Sequence, residues 1–164
     1  MTLFKPKQAM ARDTSPDLAF LLTERISKQW AGFLRAFSVE LQAQLSTDEY
    51  RELLRNMGLR LGESLPIEAQ DTVEALESAI NGHLQHMQWG YVRMTDSGSM
   101  LQIEHYFDPL SSALQVDAAV SGGLLEGVFE CWFRSAGADD ELRVLQVPHA
   151  ASPTVLEFRF GRHE

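Results

Sequence analysis

The chain of 164 residues is long enough for one domain, and its 45% hydrophobic and 23% charged residues are typical of a globular protein. A net charge of −9 leaves no basic face to replace the counterions of phosphates, which excludes nucleic acid as a partner and disfavours docking on anionic lipid. The single cysteine, Cys131, excludes an internal disulfide and a cysteine-based zinc site.

The first 22 residues are the least regular part of the sequence. Pro6, Pro16 and several polar residues interrupt its apolar residues, which predicts a flexible N-terminal arm ahead of one folded domain over residues 23–164. Neither the apolar run of a secretory signal nor that of a membrane span occurs in the sequence. We therefore expect a cytoplasmic protein.

A long amphipathic helix is predicted over residues 23–45. Apolar residues recur there at steps of three and four, as one face of a helix requires. This apolar stripe carries three aromatic residues, Trp30, Phe33 and Phe37. So many aromatic residues on one stripe make it a candidate surface for association with another chain.

A second helix is predicted to begin after Ser46. Ser46 followed by Glu49 is a capping-box pattern. Gly58 and Gly62 lie on one face of this helix, where each costs about 1 kcal/mol relative to alanine. Two explanations remain open: another backbone approaches this face closely, or the helix simply ends at Gly62.

The remaining elements indicate an α+β fold. Asp71 with Glu74 predicts the cap of a third helix, which ends before Gly90. Strands are predicted at 91–94, 100–107, 142–147 and 154–160, a loop at 110–120 and a fourth helix at 122–135. Helices followed mainly by hairpin-connected strands predict a single domain in which N-terminal helices pack with a small antiparallel sheet.

The sequence contains no constellation of reactive residues. His83 and His86 are three apart on a helix but have no third ligand in register, so we interpret them as surface histidines and expect no metal site. Glu104 and His105 are neighbours in a strand and point to opposite faces. No nucleophile elbow, phosphate-binding loop or dinucleotide fingerprint occurs. We expect neither a cofactor nor an enzyme.

Two blocks of residues resemble a known family. The residues of the resemblance are Glu52–Arg55, Gly58, Gly62, Thr72–Val73, Leu76, Asn81, Leu84, Trp89–Gly90, Leu125–Gly127, Trp132 and Gly137–Ala138, together with Met1, Thr2 and Phe4 at the start. In their order and spacing they are similar to the family of the bacterial cellulose synthase D subunit. The similarity covers about two-thirds of the chain.

The resemblance implies a non-catalytic accessory component of the cellulose synthesis and export complex, associated with the synthase at the inner membrane. Members form a cylindrical octamer, a tetramer of dimers, whose passages are proposed to receive nascent β-1,4-glucan. In some members a scaffold is built with a proline-rich partner protein. Glucan contact in the family is attributed to the N-terminal segment, which implies Phe4, Lys5 and Lys7 here.

The helices themselves suggest where association would occur. The expected oligomer contacts are Trp30, Phe33, Phe37, Gly58 and Gly62. If Gly58 and Gly62 face a neighbouring chain, replacing either with leucine should impair association more than folding.

One alternative is a small-ligand or regulatory binding module. An apolar pocket between the helices and the sheet would then be lined by Trp89, Tyr91, Tyr106 and Trp132. A third hypothesis, an enzyme that modifies cellulose, has no supporting residues in the sequence.

Overall fold

A computed structural model describes residues 26–148 and 154–162. The predicted N-terminal arm, and with it Phe4, Lys5 and Lys7, lies outside the described residues. Within them the helices are α1 (Lys28–Gln44), α2 (Thr47–Ser64), α3 (Val73–Met87), α4 (Leu110–Leu114) and α5 (Ala118–Ser135). The strands are β1 (Tyr91–Asp96), β2 (Leu101–Tyr106), β3 (Arg143–Gln146) and β4 (Val155–Gly161).

The described strands form one antiparallel sheet in the order β1-β2-β4-β3. Together with the helices this confirms the predicted α+β fold. Alternate residues of each strand point inward, and the buried ones include Val92, Ile103 and Phe158. The opposite face of the sheet carries polar and aromatic residues that are at least partly exposed.

Helix α5 lies at the centre of the domain. Every residue from Val120 to Phe133 is buried, because α2 packs on one side of α5 and the sheet packs on the other. Phe129 meets Phe158 of β4 edge to face, with ring centroids 5.4 Å apart. Most residues of this stretch are apolar, as burial on all sides requires, and the exceptions are Ser121, Glu126 and Glu130.

The predicted helix boundaries are confirmed in part. Ser46 caps α2 through the complete capping box with Glu49. The cap of α3 is Thr72 and not Asp71, since the Thr72 hydroxyl accepts the hydrogen bond from the amide of Ala75. The predicted loop at 110–120 is wrong. It contains α4 and the first turn of α5, which Asp117 caps through the amide of Ala119.

Side chains from the helices cover both edges of the sheet. On β1, the Asn81 amide group bonds both the N–H and the carbonyl of Val92, at 2.7 and 3.0 Å. On β3, the amide of Gln146 donates to Glu126 at 2.6 Å. An uncovered edge strand can pair with a strand of another chain, and these hydrogen bonds oppose that pairing.

Candidate functional site

The exposed face of α1 carries three large aromatic residues. Trp30, Phe33 and Phe37 are 54%, 58% and 40% exposed. Their rings contact one another, with 5.9 Å between the centroids of Trp30 and Phe33 and 5.9 Å between those of Phe33 and Phe37. We call these three residues the aromatic strip. A contiguous apolar surface of this kind is typical of an interaction site.

Helix α1 is attached to the body mainly through its C-terminal half. Ser38 is its one buried residue, and its hydroxyl accepts a 2.9 Å hydrogen bond from the Tyr50 hydroxyl of α2. Leu41 and Leu45 pack against the core. Trp30 and Phe33, in the N-terminal half of α1, are more than half exposed within the described part of the chain.

Beneath the aromatic strip lies an apolar groove of about 500 Å³. Its walls come from α1, α2, α4 and the start of α5, and the lining residues are Ile26, Ser27, Trp30, Leu34, Phe37, Leu54, Met57, Leu61, Trp89, Pro109, Leu110, Ala113, Leu114 and Leu124. Trp30 and Phe37 belong to both the strip and the groove, so the two form one continuous apolar surface.

Gly58 and Gly62 have a different role from the predicted oligomer contact. A Cβ at Gly58 would lie 2.0 Å from the carbonyl oxygen of Leu124, and one at Gly62 would lie 2.6 Å from the Cβ of Cys131. Both neighbours belong to α5 of the same chain. Of the two explanations, the close approach of another backbone is correct, and Gly62 does not end the helix, which continues to Ser64. These glycines are buried inside the protomer and do not contribute an exposed surface for a second chain.

The glycines of α5 complete this contact. A Cβ at Gly127 would lie 2.1 Å from the carbonyl oxygen of Arg55, and one at Gly123 would lie 2.7 Å from that of Arg51. Each helix therefore presents two glycines, four residues apart, to the backbone of the other. The two sequence blocks that carry the family resemblance meet at this contact.

A buried ion cluster joins the same two helices, and sequence reasoning missed it. The Arg51 guanidinium donates to Glu126 at 2.7 Å, and Arg55 and Arg134 both donate to Glu130 at 2.5 Å. The side chains of Glu126 and Glu130 are each only 2% exposed. Buried carboxylates need such partners, and these are engaged with guanidinium groups and with backbone amides of β3. The cluster is built to hold α2, α5 and β3 together.

The four aromatic residues of the alternative hypothesis do not line one pocket. Trp132 is fully buried and donates to the carbonyl of Leu65 at 2.7 Å. Tyr91 and Tyr106 instead stack on each other across β1 and β2, on the outer face of the sheet. The ring of His83, predicted to be a surface histidine, is half-buried and stacks on Trp132 at 5.4 Å.

An open cleft of about 500 Å³ lies where α3 ends and β1 begins. It is lined by Gln85, Gln88, Gly90, Tyr91 and Phe107. We call it the α3–β1 cleft. Of this set the sequence alone indicates only Tyr91 as a candidate, and the cleft shares no lining residue with the apolar groove.

Two buried titratable groups fix the backbone beside this cleft. The Nε2–H of His105 donates to the Trp89 carbonyl at 2.6 Å, and desolvation lowers the pKa of His105 to about 4. Asp108 accepts from the amide of Leu110 at 3.0 Å, and desolvation raises its pKa to about 6. Burial thus favours the neutral form of both groups, which serve as hydrogen-bonding anchors.

The described residues contain no group of three or more histidine, cysteine, aspartate or glutamate side chains arranged to hold a metal ion. Within the same ranges, no helix combines the length and apolar character needed to cross a membrane.

Residues 17–160 match the family described as the D subunit of cellulose synthase. This range covers most of the chain and includes both halves of the glycine contact, the ion cluster and all of the sheet except the last residue of β4. A search of curated proteins finds no match.

Proposed function

The chain belongs to the cellulose synthase D subunit family, and we propose that it is a non-catalytic component that assembles with copies of itself and guides nascent β-1,4-glucan. Family membership gives it an accessory role in cellulose synthesis, in association with the synthase complex. The further elements of the proposal are an octameric cylinder made as a tetramer of dimers, a cytoplasmic location beside the inner-membrane synthase, and a scaffold shared with a proline-rich partner.

The aromatic strip on α1 is the observation that carries the assembly proposal. Fully burying one large apolar side chain contributes about 1.5–3 kcal/mol. Trp30, Phe33 and Phe37 are about half exposed, so covering all three would contribute roughly 2–5 kcal/mol per chain. In a two-fold symmetric contact the same strip is used twice. The two strips of a dimer would together contribute roughly 4–10 kcal/mol, whereas association at micromolar concentration requires about 8 kcal/mol net after the cost of immobilising two chains, so the apolar groove must contribute the remainder.

The covered sheet edges support association through helices. Because Asn81 bonds the free side of β1 and Glu126 bonds that of β3, extending the sheet into another chain would require breaking these hydrogen bonds. The α1 surface needs no such rearrangement.

The mass of the assembly tests this proposal directly. Light scattering coupled to gel filtration should find an oligomer for the native chain and a smaller species for Trp30→Glu. Val39→Glu is the matched control, since Val39 lies on the same helix, is 58% exposed and does not line the groove. A native chain that is monomeric at micromolar concentration, or a Trp30→Glu chain that assembles as the control does, would refute assembly through α1.

Glucan guidance is proposed for the N-terminal segment, at Phe4, Lys5 and Lys7. The family resemblance supports these residues, which lie outside the described part of the chain. Deleting the gene should lower the crystallinity of the extracellular cellulose, and a copy with Lys5→Ala and Lys7→Ala should restore it less well than the native copy. Unchanged fibre diffraction after deletion would contradict the role in glucan organisation.

A further inference from the structure

The α3–β1 cleft contains a strained aromatic residue. Phe107 has φ of 60°, in the left-handed region, which a bulky side chain rarely adopts and which costs about 1–2 kcal/mol. Gln88 has the same φ, but it terminates α3, where a left-handed residue is common. No helix end accounts for Phe107. Strained residues of this kind cluster at ligand-binding sites.

Hydrogen bonds on several sides keep the cleft in one shape. The amide of Phe107 donates to the Thr154 carbonyl at 2.9 Å. His105 and Asp108 anchor the neighbouring backbone at Trp89 and Leu110. A Cβ at Gly90 would lie 1.9 Å from the carbonyl oxygen of Tyr106, so the chain passes there with no room for a side chain. A site held in this way loses little conformational freedom when a ligand binds.

Among the described residues, no aromatic ring is stacked on the outer face of Tyr91. Tyr106 stacks on the other face, with centroids 4.9 Å apart and planes within 5°. The Arg93 guanidinium lies 6.0 Å from the ring centroid of Tyr91 and 5.5 Å from that of Tyr106. The ring centroid of Phe107 lies 6.1 Å from that of Tyr91 and 6.5 Å from that of Tyr106. Such nearly equal distances place both groups beside the stack and not on the outer face of Tyr91.

The side chains of the cleft combine aromatic rings with primary amides. Tyr91 and Phe107, with 53° between their ring planes, offer apolar surfaces, and Gln85 and Gln88 offer hydrogen-bond donors and acceptors. None of the described lining residues is charged at neutral pH. This composition suits a neutral ligand that has apolar C–H faces and many hydroxyl groups, as a glucopyranose ring has. The volume of about 500 Å³ is within the range of ligand pockets, about 300–1,000 Å³.

We propose that the α3–β1 cleft binds a short stretch of β-1,4-glucan, with Tyr91 and Phe107 against the sugar faces and the Gln85 and Gln88 amides on the hydroxyl groups. The identity of the sugar rests on the proposed function. The cleft is separate from the N-terminal segment and from the aromatic strip, so it would give the glucan a second contact with each chain.

Calorimetric titration of the full-length assembly with cellotetraose tests the cleft. Two substitutions remove its side chains with little risk to the fold. Gln85→Ala changes an exposed helical position, and Phe107→Gly places glycine where φ is positive. The double variant should bind cellotetraose at least tenfold more weakly than the native chain. Gln102→Ala, an exposed glutamine on the outer face of the sheet, is the matched control and should bind as the native chain does.

The outcomes separate this inference from the function it rests on. If the double variant binds normally while Lys5→Ala with Lys7→Ala abolishes binding, the glucan contacts the N-terminal segment alone and the cleft proposal is overturned. A native chain that assembles but binds no cellotetraose also overturns the cleft and leaves the assembly proposal standing. Equal affinity for maltotetraose, which has α-1,4 linkages, would overturn the assignment to β-glucan.

Discussion

Replacing Gly58 with alanine is expected to force α2 and α5 apart. The new Cβ would lie 2.0 Å from the Leu124 carbonyl oxygen, 2.9 Å from its carbonyl carbon and 3.0 Å from the Val128 amide nitrogen. Ordinary van der Waals contact begins at 3.4 Å, so relief of the closest clash from 2.0 to 3.4 Å requires roughly 1.4 Å of movement. Because the atoms it meets are backbone atoms, no side chain can rotate away to make room.

The size of the effect follows from two opposing contributions. Inserting a methyl group into a packed interior costs about 1–3 kcal/mol, and a backbone clash at 2.0 Å belongs at the upper end of this range. Alanine in a helix recovers about 1 kcal/mol relative to glycine. We therefore expect Gly58→Ala to lower the free energy of unfolding by about 2 kcal/mol, or the melting temperature by about 4–8 °C.

Gly82→Ala provides the control for this prediction. Gly82 lies within α3. Apart from its chain neighbours and the nearby backbone of its own helix, no atom of the described residues lies within 4 Å of a Cβ placed there. The substitution should therefore raise the free energy of unfolding by about 1 kcal/mol. Urea unfolding followed by circular dichroism, at one protein concentration because assembly adds to apparent stability, measures both variants. If Gly58→Ala is as stable as Gly82→Ala, the close contact between α2 and α5 does not exist.

Three further substitutions, with one control, address buried and partly buried polar groups. Glu130→Ala should lower the free energy of unfolding by about 2–3 kcal/mol, because Arg55 and Arg134 lose their shared carboxylate but stay partly exposed and close to Glu126 and Asp140. Arg162→Ala, in an exposed ion pair, should change it by under about 1 kcal/mol in the same urea titration. Asn81→Leu should cost about 2 kcal/mol through two lost hydrogen bonds and should increase aggregation, measured by turbidity, because it uncovers the edge of β1. Because the pKa of His105 is lowered, it contributes stability that is present above pH 6.5 and is lost as the pH falls towards 4. The raised pKa of Asp108 acts in the opposite direction: it contributes stability at low pH that is lost as the pH rises from 3.8 to 6. Asp108→Asn removes the contribution of Asp108 and keeps that of His105. Urea titrations of this variant should show the free energy of unfolding rising by about 3 kcal/mol from pH 4 to 6.5. A flat profile would contradict the burial of His105.

Local features of the fold could be predicted from the sequence because their causes are local. The capping box of Ser46 and Glu49 lies within four residues, and the structure forms it. The strand pattern at 154–160 alternates between buried and exposed residues, as the sheet requires. Where the signal was weaker, the boundary moved. Asp71 and Thr72 are both good caps, and the structure uses the second.

The loop prediction at 110–120 failed because packing decides that segment. Helix α4 has five residues, too few to be stable alone, and it is held by the burial of Leu110 and Leu114. Gly122 and Gly123 lie within α5, where the close approach of Gln146 and Arg51 from other elements leaves no room for a Cβ.

The role of the paired glycines could not be predicted for a different reason. The spacing of Gly58 and Gly62 left the close approach of another backbone as one of two explanations, and nothing in α2 distinguishes a helix of the same chain from one of a neighbour. The matching pair, Gly123 and Gly127, lies more than 60 residues later in the sequence. The ion cluster could not be predicted for the same reason, because Arg55 and its partner Glu130 are 75 residues apart in the sequence.

The aromatic strip and the α3–β1 cleft share no residue, so assembly and glucan binding should be separable in one chain. Trp30 lines the groove between α1 and the body, whereas Gln85 and Phe107 lie at the end of α3 and beside β1. A folded Trp30→Glu chain should therefore bind cellotetraose, per chain, with an affinity within about threefold of the native assembly, because a cleft contained in one chain needs no neighbour to complete it. If this variant loses assembly and binding together, a second chain must contribute to the glucan site, and the cleft described here would be only part of it.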